Sequence, residues 1–358
     1  MLEAMTQPWY RSPTALISIA WKIVAGLVGV VAVCFLLALP GSWQDPGTFF
    51  VRFLQFVING VMIGSVYALA ALGWTLIYKC SGVLNLAMGE LTLIGGYVCL
   101  TLYRYGIDLN IPALAAFAVA VAGTLIIGMI LGLLTERLVL RPMIGEPVLA
   151  VIMVTVGLSF FFRGLVGALW GTTTQVFKPS VFPTDPIRLG QIPVRPLYAW
   201  AFLAALVLLP VFVGFFQITR WGLSMQATAD DEMAALSLGI SARFVYAVAW
   251  GIAFMTAGIG GIFLGNDTGL NISVAETSLL VLPAVVLGGL NSVPGAIVGG
   301  ISIGILQNLA GGYLDQLIIA GIRIFPGGVK NVFPFVVMII VLLFRPYGLW
   351  GWVRIERV

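Results

Sequence analysis

Apolar residues fill most of this chain in long runs that short polar segments separate. A helix needs about 20 apolar residues to cross the hydrocarbon core of a bilayer, so each long run predicts one membrane-spanning helix. Three further runs are short or interrupted, and a glycine-rich segment lies between the last two of them. We therefore expect about ten membrane-crossing or re-entrant pieces. The long runs are Ala15–Leu39, Phe53–Ile77, Ile111–Leu134, Val148–Trp170, Leu197–Phe216 and Phe244–Leu264, and the other pieces are Glu90–Tyr103, Leu279–Leu290, Gly295–Ala310 and Val332–Phe344.

Composition supports this pattern, since 60% of the residues are hydrophobic and 9% are charged, against about 25% charged in soluble domains. The chain is therefore predicted to be an all-α polytopic membrane protein. It contains no histidine, the commonest acid–base group and zinc ligand, so we expect no catalytic residue and no metal site. The net charge of +4 comes without a basic block and gives no sign of nucleic-acid binding. Cys34, Cys80 and Cys99 have no paired spacing and are predicted to be buried and free of disulfides.

The N-terminal region, a short basic lead followed by an apolar run, could be a signal peptide or a retained span. The run is long for a signal peptide, and Leu37-Ala-Leu-Pro40 is a poor cleavage site, so a retained span is favoured. We assign residues 1–52 to this span and its linker.

Arginines in the short loops indicate an orientation, because positive charge concentrates in cytoplasmic loops. Both termini are then predicted to be cytoplasmic, and the long proline-rich loop, 171–196, faces outward. The arginines that would share the cytoplasmic face are Arg137, Arg141, Arg220, Arg243, Arg345, Arg354 and Arg357.

Two interrupted segments, 83–96 and 286–300, resemble each other and predict two broken-helix halves related as inverted repeats. Backbone groups freed by such a break cannot face lipid, so the breaks indicate a transport pathway. The alternatives stay open: Asn85 could cap a helix that has Glu90 in its first turn, and the second break could be a tight turn. The predicted pathway residues are Asn85, Met88, Gly89, Glu90, Gly288, Gly289, Asn291 and Ser292, with Tyr67 and Thr155 on neighbouring spans. Ser65, Gly157 and Ser302 could also point inward.

Small residues recur at helical spacing in two of the runs, which favours close packing of helices over a face that lines a pathway. These residues are Gly60, Gly64, Ala68 and Ala71 in one run, and Gly295, Gly299, Gly300 and Gly304 in the other.

One polar segment, 219–240, is predicted to contain a short helix that binds a partner on the cytoplasmic side. Thr228 is expected to cap the helix, Asp230, Asp231 and Glu232 to form its first turn, and Gly239 to end it. The chain lacks a Gly-x4-Gly-Lys-Ser/Thr loop, so any ATP chemistry must come from another polypeptide.

Six stretches in order along the chain form one combined pattern: 64–70, 83–90, 136–142, 229–240, 286–296 and 344–351. Together they resemble the membrane permease subunits of branched-chain amino acid ABC transporters. The resemblance runs from about Phe53 to Gly351 and leaves only the N-terminal span outside.

The resemblance implies a permease domain over 53–351 with a cytoplasmic tail, 352–358, in a bacterial inner membrane. It implies four partners: a second, similar permease, two cytoplasmic ATPases that bind ATP and magnesium, and a periplasmic substrate-binding protein. It also implies that 228–240 contains the coupling helix that contacts an ATPase. The coupling residues would be Asp230, Asp231, Glu232, Met233, Ala234, Ala235, Leu236 and Gly239.

Two residues depart from the family's usual first break, since Leu86 and Met88 stand where Phe and His or Gln are common. The substrate could therefore be a branched-chain or hydrophobic amino acid, or else urea, a short amide or an aromatic acid. An ion-driven secondary transporter would need paired intramembrane carboxylates, for which Glu90 is the sole candidate.

Overall fold

The computed structural model describes residues 46–183, 185–189, 192–315, 318–319, 322–323 and 328–351. The predicted span Ala15–Leu39, Cys34 and the tail 352–358 lie outside these residues. Twelve α-helices and two short hairpins make up most of the described chain. In order they are α1 (Pro46–Ser81), α2 (Met88–Asp108), α3 (Ala113–Thr135), α4 (Val148–Trp170), β1 (Ile187–Leu189), β2 (Ile192–Val194), α5 (Pro196–Ile218), α6 (Arg220–Asp230), α7 (Glu232–Ser237), α8 (Ala242–Thr268), α9 (Ser273–Leu279), α10 (Val281–Gly288), α11 (Val293–Leu309), β3 (Ile318–Ile319), β4 (Ile322–Arg323) and α12 (Val329–Phe344).

Six of the described helical segments are long and apolar enough to cross a membrane, and the prediction of an all-α polytopic membrane protein is confirmed. π-helical turns extend α3 and α11 at their C-terminal ends. The pair α9–α10 and the helix α12 are apolar but shorter, as the sequence predicts. The spans are Phe50–Ser81, Ala113–Met143, Val148–Trp170, Pro196–Ile218, Ala242–Thr268 and Val293–Leu314.

Helix α2 differs from the sequence prediction, which gave a short, interrupted piece over Glu90–Tyr103. It is a continuous helix of 21 residues, and most of its side chains are buried against other helices. Polar residues such as Thr92 and Tyr97 lower its hydropathy, yet each finds a hydrogen-bond partner inside the bundle. Hydropathy alone therefore underestimates the length of a helix that lies within the protein.

Helices α1, α8 and α11 form the centre of the bundle, whereas α3, α4 and α5 expose most of their apolar surface. The close approach of α1 and α11 depends on glycine. A Cβ atom on Gly64 would lie 2.7 Å from the Cα of Ile301, and one on Gly60 would lie 2.6 Å from the Cα of Ile305. The predicted packing role of these small residues is confirmed.

The two ends of the bundle are distinct. At the hairpin end, β1 pairs with β2, and Gln175 pairs with Leu270 through two backbone hydrogen bonds of 2.7 and 2.9 Å. At the opposite end, the α7 end, lie α6, α7 and the turn between α10 and α11. Cys80 and Cys99 are buried and free, as predicted.

Candidate functional site

The first break, residues 82–87, joins α1 to α2 through a turn made by Asn85. The Asn85 side-chain oxygen accepts a hydrogen bond of 3.0 Å from the Ala87 N–H, while its amide nitrogen is buried without a described partner. The Leu86 N–H donates to the Thr155 hydroxyl oxygen at 3.4 Å. The predicted capping role of Asn85 is wrong, because Ala87 occupies the N-cap position of α2 and no side chain caps it, whereas Glu90 lies in the first turn as predicted. The break also contacts the middle of α4.

Glu90, in the first turn of α2, forms an ion pair with Arg163 of α4, with 2.9 Å between Oε1 and Nη2. The Glu90 side chain is 4% exposed and that of Arg163 is 34% exposed. The sequence analysis missed this partner. Arg163 is the one charged residue in the run Val148–Trp170, and a charge inside a membrane span is costly unless it is paired, so the signal was present.

Met88 and Gly89 lie in tightly packed surroundings. Met88 is 1% exposed, and a Cβ atom on Gly73 of α1 would come within 2.8 Å of its terminal methyl group. A Cβ atom on Gly89 would lie 2.5 Å from the Ala275 carbonyl oxygen. In this conformation, therefore, both residues pack α2 against its neighbours.

The second break, between α10 and α11, is a tight turn, as the alternative interpretation predicts. Gly289 has φ of +104°, and the Ser292 hydroxyl caps α11 by accepting a hydrogen bond of 3.1 Å from the Gly295 N–H. The segment after α12 packs on this turn, because the Trp350 N–H donates to the Gly288 carbonyl at 3.1 Å. Asn291 is half-buried in the same turn.

The remaining predicted pathway residues have separate environments. The buried Thr155 hydroxyl donates to the Ile152 carbonyl of its own helix at 2.8 Å. Tyr67 is buried, and its hydroxyl donates to Gln307 Oε1 at 2.7 Å. Gly157 is exposed, and a Cβ atom added to it would meet nothing within 4 Å, so its predicted inward position is wrong.

A cavity of about 200 Å³ lies beside the Tyr67–Gln307 pair at the hairpin end. Side chains from α1, α5, α8, α9, α11 and α12 line it, and the sequence analysis named only Tyr67 among them. Asp267 at its edge accepts hydrogen bonds from the Tyr198 hydroxyl and forms an ion pair with Arg195. Partial burial lowers the pKa of Arg195, but the Asp267 carboxylate and the Tyr198 hydroxyl together raise it more, so this pKa lies above its usual range.

The segment predicted as one helix over 228–240 is two helices separated by a single extended residue, Asp231, at φ −154° and ψ 106°. The Asp231 carboxylate caps α7 by accepting a hydrogen bond of 3.0 Å from the Ala234 N–H. The predicted capping role of Thr228 is wrong. Thr228 is buried within α6 and donates to the Ser224 carbonyl, and Thr219 caps α6 instead.

Gly239 ends α7, as predicted. Its φ is +83°, its N–H donates to the Leu236 carbonyl, and the Ile240 N–H donates to the Ala235 carbonyl, both at 3.0 Å. This pair of bonds defines a Schellman motif, which favours glycine at the left-handed position.

Most of the surface of α7 is left exposed by the part of the chain that the structure describes. Ala235 is 2% exposed and is the one buried residue of this helix. Met233 is 74% exposed and Leu236 is 46% exposed. The acidic residues around its start, Asp230, Asp231 and Glu232, and also Ala234, are exposed as well. Among the described residues, no cluster of three potential metal ligands occurs.

Comparison with known proteins gives consistent matches over nearly the whole chain. The family model described as "Branched-chain amino acid transport system / permease component" matches residues 56–342. The high-affinity branched-chain amino acid transport system permease protein LivH of Escherichia coli is 32% identical over 323 residues, which cover 86% of this chain and 99% of LivH. BraD of Pseudomonas aeruginosa, described in the same words, is 29% identical over 86% of this chain and 98% of its own.

A more distant relative is the autoinducer 2 import system permease protein LsrC of Escherichia coli, 26% identical over 76% of this chain and 75% of LsrC. No solved structure gives a significant match.

Proposed function

Because the chain belongs to the branched-chain amino acid transport permease family, we propose that it is the transmembrane subunit of an ATP-driven importer. Its substrates would be branched-chain or other hydrophobic amino acids. The chain itself would carry no catalytic residue and bind no cofactor, since partner ATPases would bind and hydrolyse ATP with magnesium.

The observation that carries this proposal is the geometry of α7. The helix has a cap at each end that does not depend on the rest of the bundle, yet it exposes Met233 and Leu236. Isolated exposed apolar residues are common, but a capped helix that offers two of them beside acidic residues suits docking into a groove. We propose that α7 is the coupling helix and that the groove belongs to an ATPase.

Four partners follow from this proposal: two cytoplasmic ATPases, a second permease and a periplasmic binding protein. A relative named LivM, also a branched-chain amino acid permease, is 25% identical over 79% of this chain, which supports a similar chain as the second permease. The α7 end would face the cytoplasm of a bacterial inner membrane. The loop 171–196 at the hairpin end would face the periplasm and contact the binding protein.

The first break and its contacts with α4 would contribute to the pathway, and the turn at Asn291 would transmit movement between α10 and α11. ATP binding need only favour one of two arrangements of these helices, because a ligand shifts a conformational equilibrium by its difference in affinity for the two states. The same machinery could serve urea, short amides or aromatic acids instead.

An ATP-dependent uptake assay tests the proposal. The chain would be reconstituted in proteoliposomes with two ATPases, a second permease and a binding protein from the same organism, and uptake of radiolabelled leucine would be measured. We expect uptake with ATP and binding protein, and none with a hydrolysis-deficient ATPase. Uptake that persists without ATP but follows an ion gradient would contradict the proposal in favour of a secondary transporter. Glu90 is a poor ion carrier for such a transporter, since Arg163 already neutralises it.

A further inference from the structure

A buried amide with an unused donor points to a ligand site in the cavity at the hairpin end. Gln307 of α11 has no exposed surface and lines this cavity. Its Oε1 accepts from the Tyr67 hydroxyl at 2.7 Å, which fixes the orientation of the amide. Its Nε2 has no partner among the described residues, although leaving a buried donor unpaired is unfavourable.

The mouth of the cavity carries positive charge that is not neutralised nearby. Lys330, at the start of α12, is exposed there. No carboxylate among the described residues lies within ion-pairing distance of it. The nearby Asp315 carboxylate accepts from the Val329 N–H at 3.0 Å, and Asp267 is already paired with Arg195.

The rest of the wall has apolar side chains from α1, α5, α8 and the residue before α10, and polar ones at Tyr198, Thr268, Thr277 and Asn331. The volume of about 200 Å³ is below the range of about 300–1,000 Å³ typical of pockets for drug-sized ligands, so it suits a small solute. A solute that fits this lining has a carboxylate and a compact aliphatic group. The apolar lining residues are Ile63, Val66, Leu197, Ala201, Phe263, Leu264 and Leu280.

We propose that this cavity is a transit site for the imported solute, an α-amino acid with an aliphatic side chain. Gln307 Nε2 donates a hydrogen bond to the solute carboxylate, Lys330 attracts that carboxylate at the mouth, and the apolar wall receives the side chain. Asp267 retains lone pairs that accept from the solute ammonium group. The role of this site in transport rests on the proposed function, whereas the chemistry of its ligand follows from the residues that line the cavity.

Direct binding to the assembled transporter in nanodiscs, without the binding protein, tests the site. Saturation-transfer NMR would compare leucine with 4-methylpentanoate, which lacks the ammonium group, and 3-methylbutylamine, which lacks the carboxylate. We expect leucine and 4-methylpentanoate to bind and the amine to bind at least about tenfold more weakly, since a hydrogen bond to a charged group contributes about 1.5–3 kcal/mol.

The variants Gln307→Leu and Lys330→Gln should each weaken leucine binding, and Gln307→Glu should weaken it most because two carboxylates repel each other. The matched controls are Asn308→Leu, the neighbouring amide that donates to the Gly304 carbonyl instead, and Arg52→Gln, an exposed cation at the same end. Both should bind leucine as the unmodified protein does.

The proposal is overturned if leucine does not bind, if the amine binds as well as leucine, or if neither Gln307→Leu nor Lys330→Gln weakens binding. Failure of ATP-driven uptake with intact leucine binding would instead contradict the proposed function and leave the site standing. A structural role of Gln307 alone would lower the unfolding temperature without changing the preference for carboxylates, so that temperature is measured for each variant.

Discussion

Glu90 and Arg163 lie 2.9 Å apart, Oε1 to Nη2, and join the first turn of α2 to α4, a helix that otherwise exposes most of its surface. Arg163 is placed seven residues before Trp170 at the hairpin end of α4, or about 10 Å along the helix axis. The ion pair therefore lies at membrane depth and attaches α4 to the bundle near the first break.

Removing one member of this pair should destabilise the protein strongly. For Arg163→Met we expect a loss of about 3 kcal/mol or somewhat less, because Glu90 would remain as an uncompensated charge while the partial exposure of Arg163 moderates the cost. Thermal unfolding in detergent measures the effect. The double variant with Glu90→Gln should recover much of the loss, and Arg243→Met, at an exposed arginine, should have little effect. Equal stability of the single and double variants would contradict the role of the ion pair.

The cap at Asp231 should matter for coupling. Asp231→Ala removes the carboxylate that accepts from the Ala234 N–H, and loss of such a cap costs about 1 kcal/mol. We expect faster hydrogen exchange of the α7 amides and less leucine transported per ATP hydrolysed. Asp231→Asn retains a capping oxygen and should behave almost as the unmodified protein, so an equal defect in both variants would point to charge instead of capping.

Gly239 offers a test of backbone geometry, because nothing lies within 4 Å of a Cβ atom placed on it. Its φ of +83° is unfavourable for a branched residue, at about 1–2 kcal/mol. Gly239→Val should therefore unwind the end of α7 and reduce coupling in the uptake assay. Asn tolerates the left-handed region, so Gly239→Asn should retain most of the activity; if both variants were fully active, the Schellman motif would be dispensable.

A substitution of the exposed Met233 tests directly whether α7 docks on an ATPase. Burial of a methionine side chain contributes about 1.5–3 kcal/mol, so Met233→Glu should weaken binding of the ATPases by about tenfold or more, as measured by co-purification and by biolayer interferometry. Met233→Leu keeps the apolar surface and serves as the control. Unchanged affinity for Met233→Glu would place the ATPase contact elsewhere.

Close packing of α1 and α11 predicts a sharp contrast between two glycines. Gly64→Val should prevent stable folding, because even a Cβ atom there would lie 2.7 Å from the Cα of Ile301. Gly167→Val, in α4, meets nothing within 4 Å and should yield folded protein. Size-exclusion chromatography of the two variants, expressed side by side, provides the comparison.

Much of the fold could be predicted from the sequence because a helix that crosses a lipid bilayer needs about 20 apolar residues. That requirement identifies α1, α3, α4, α5 and α8, and glycine spacing indicates that α1 and α11 pack closely against other helices. The length requirement did not identify α11 as a full span, because the glycine-rich run Gly295–Ala310 is shorter than the 22-residue span Val293–Leu314. It fails for α2, since a helix enclosed by other helices can carry Thr92 and Tyr97 at little cost. Inverted symmetry between the two halves and the division into domains stay predictions.

The candidate site was harder to predict from the sequence than the fold was. Three acidic residues in succession, Asp230 to Glu232, each suit the start of a helix, so capping preference could not choose Asp231 over Thr228. Partners far apart in the chain are a second difficulty. Tyr67 was named, but Gln307, 240 residues away, was not, because one glutamine in a small-residue helix has no local pattern that assigns it a role.

The single extended residue between α6 and α7 has a mechanical consequence. Each helix has its own cap, at Thr219 and Asp231, so torsion about the Asp231 backbone can tilt α7 while most hydrogen bonds within both helices stay intact. Ala235 is the one side chain of α7 buried against the bundle, and Glu232 interacts with the Tyr246 hydroxyl of α8, so few contacts resist such a tilt. Helices α6 and α7 are therefore joined at one backbone position that can rotate. A force applied to α7 by a partner would reach the bundle mainly as a rotation about Asp231.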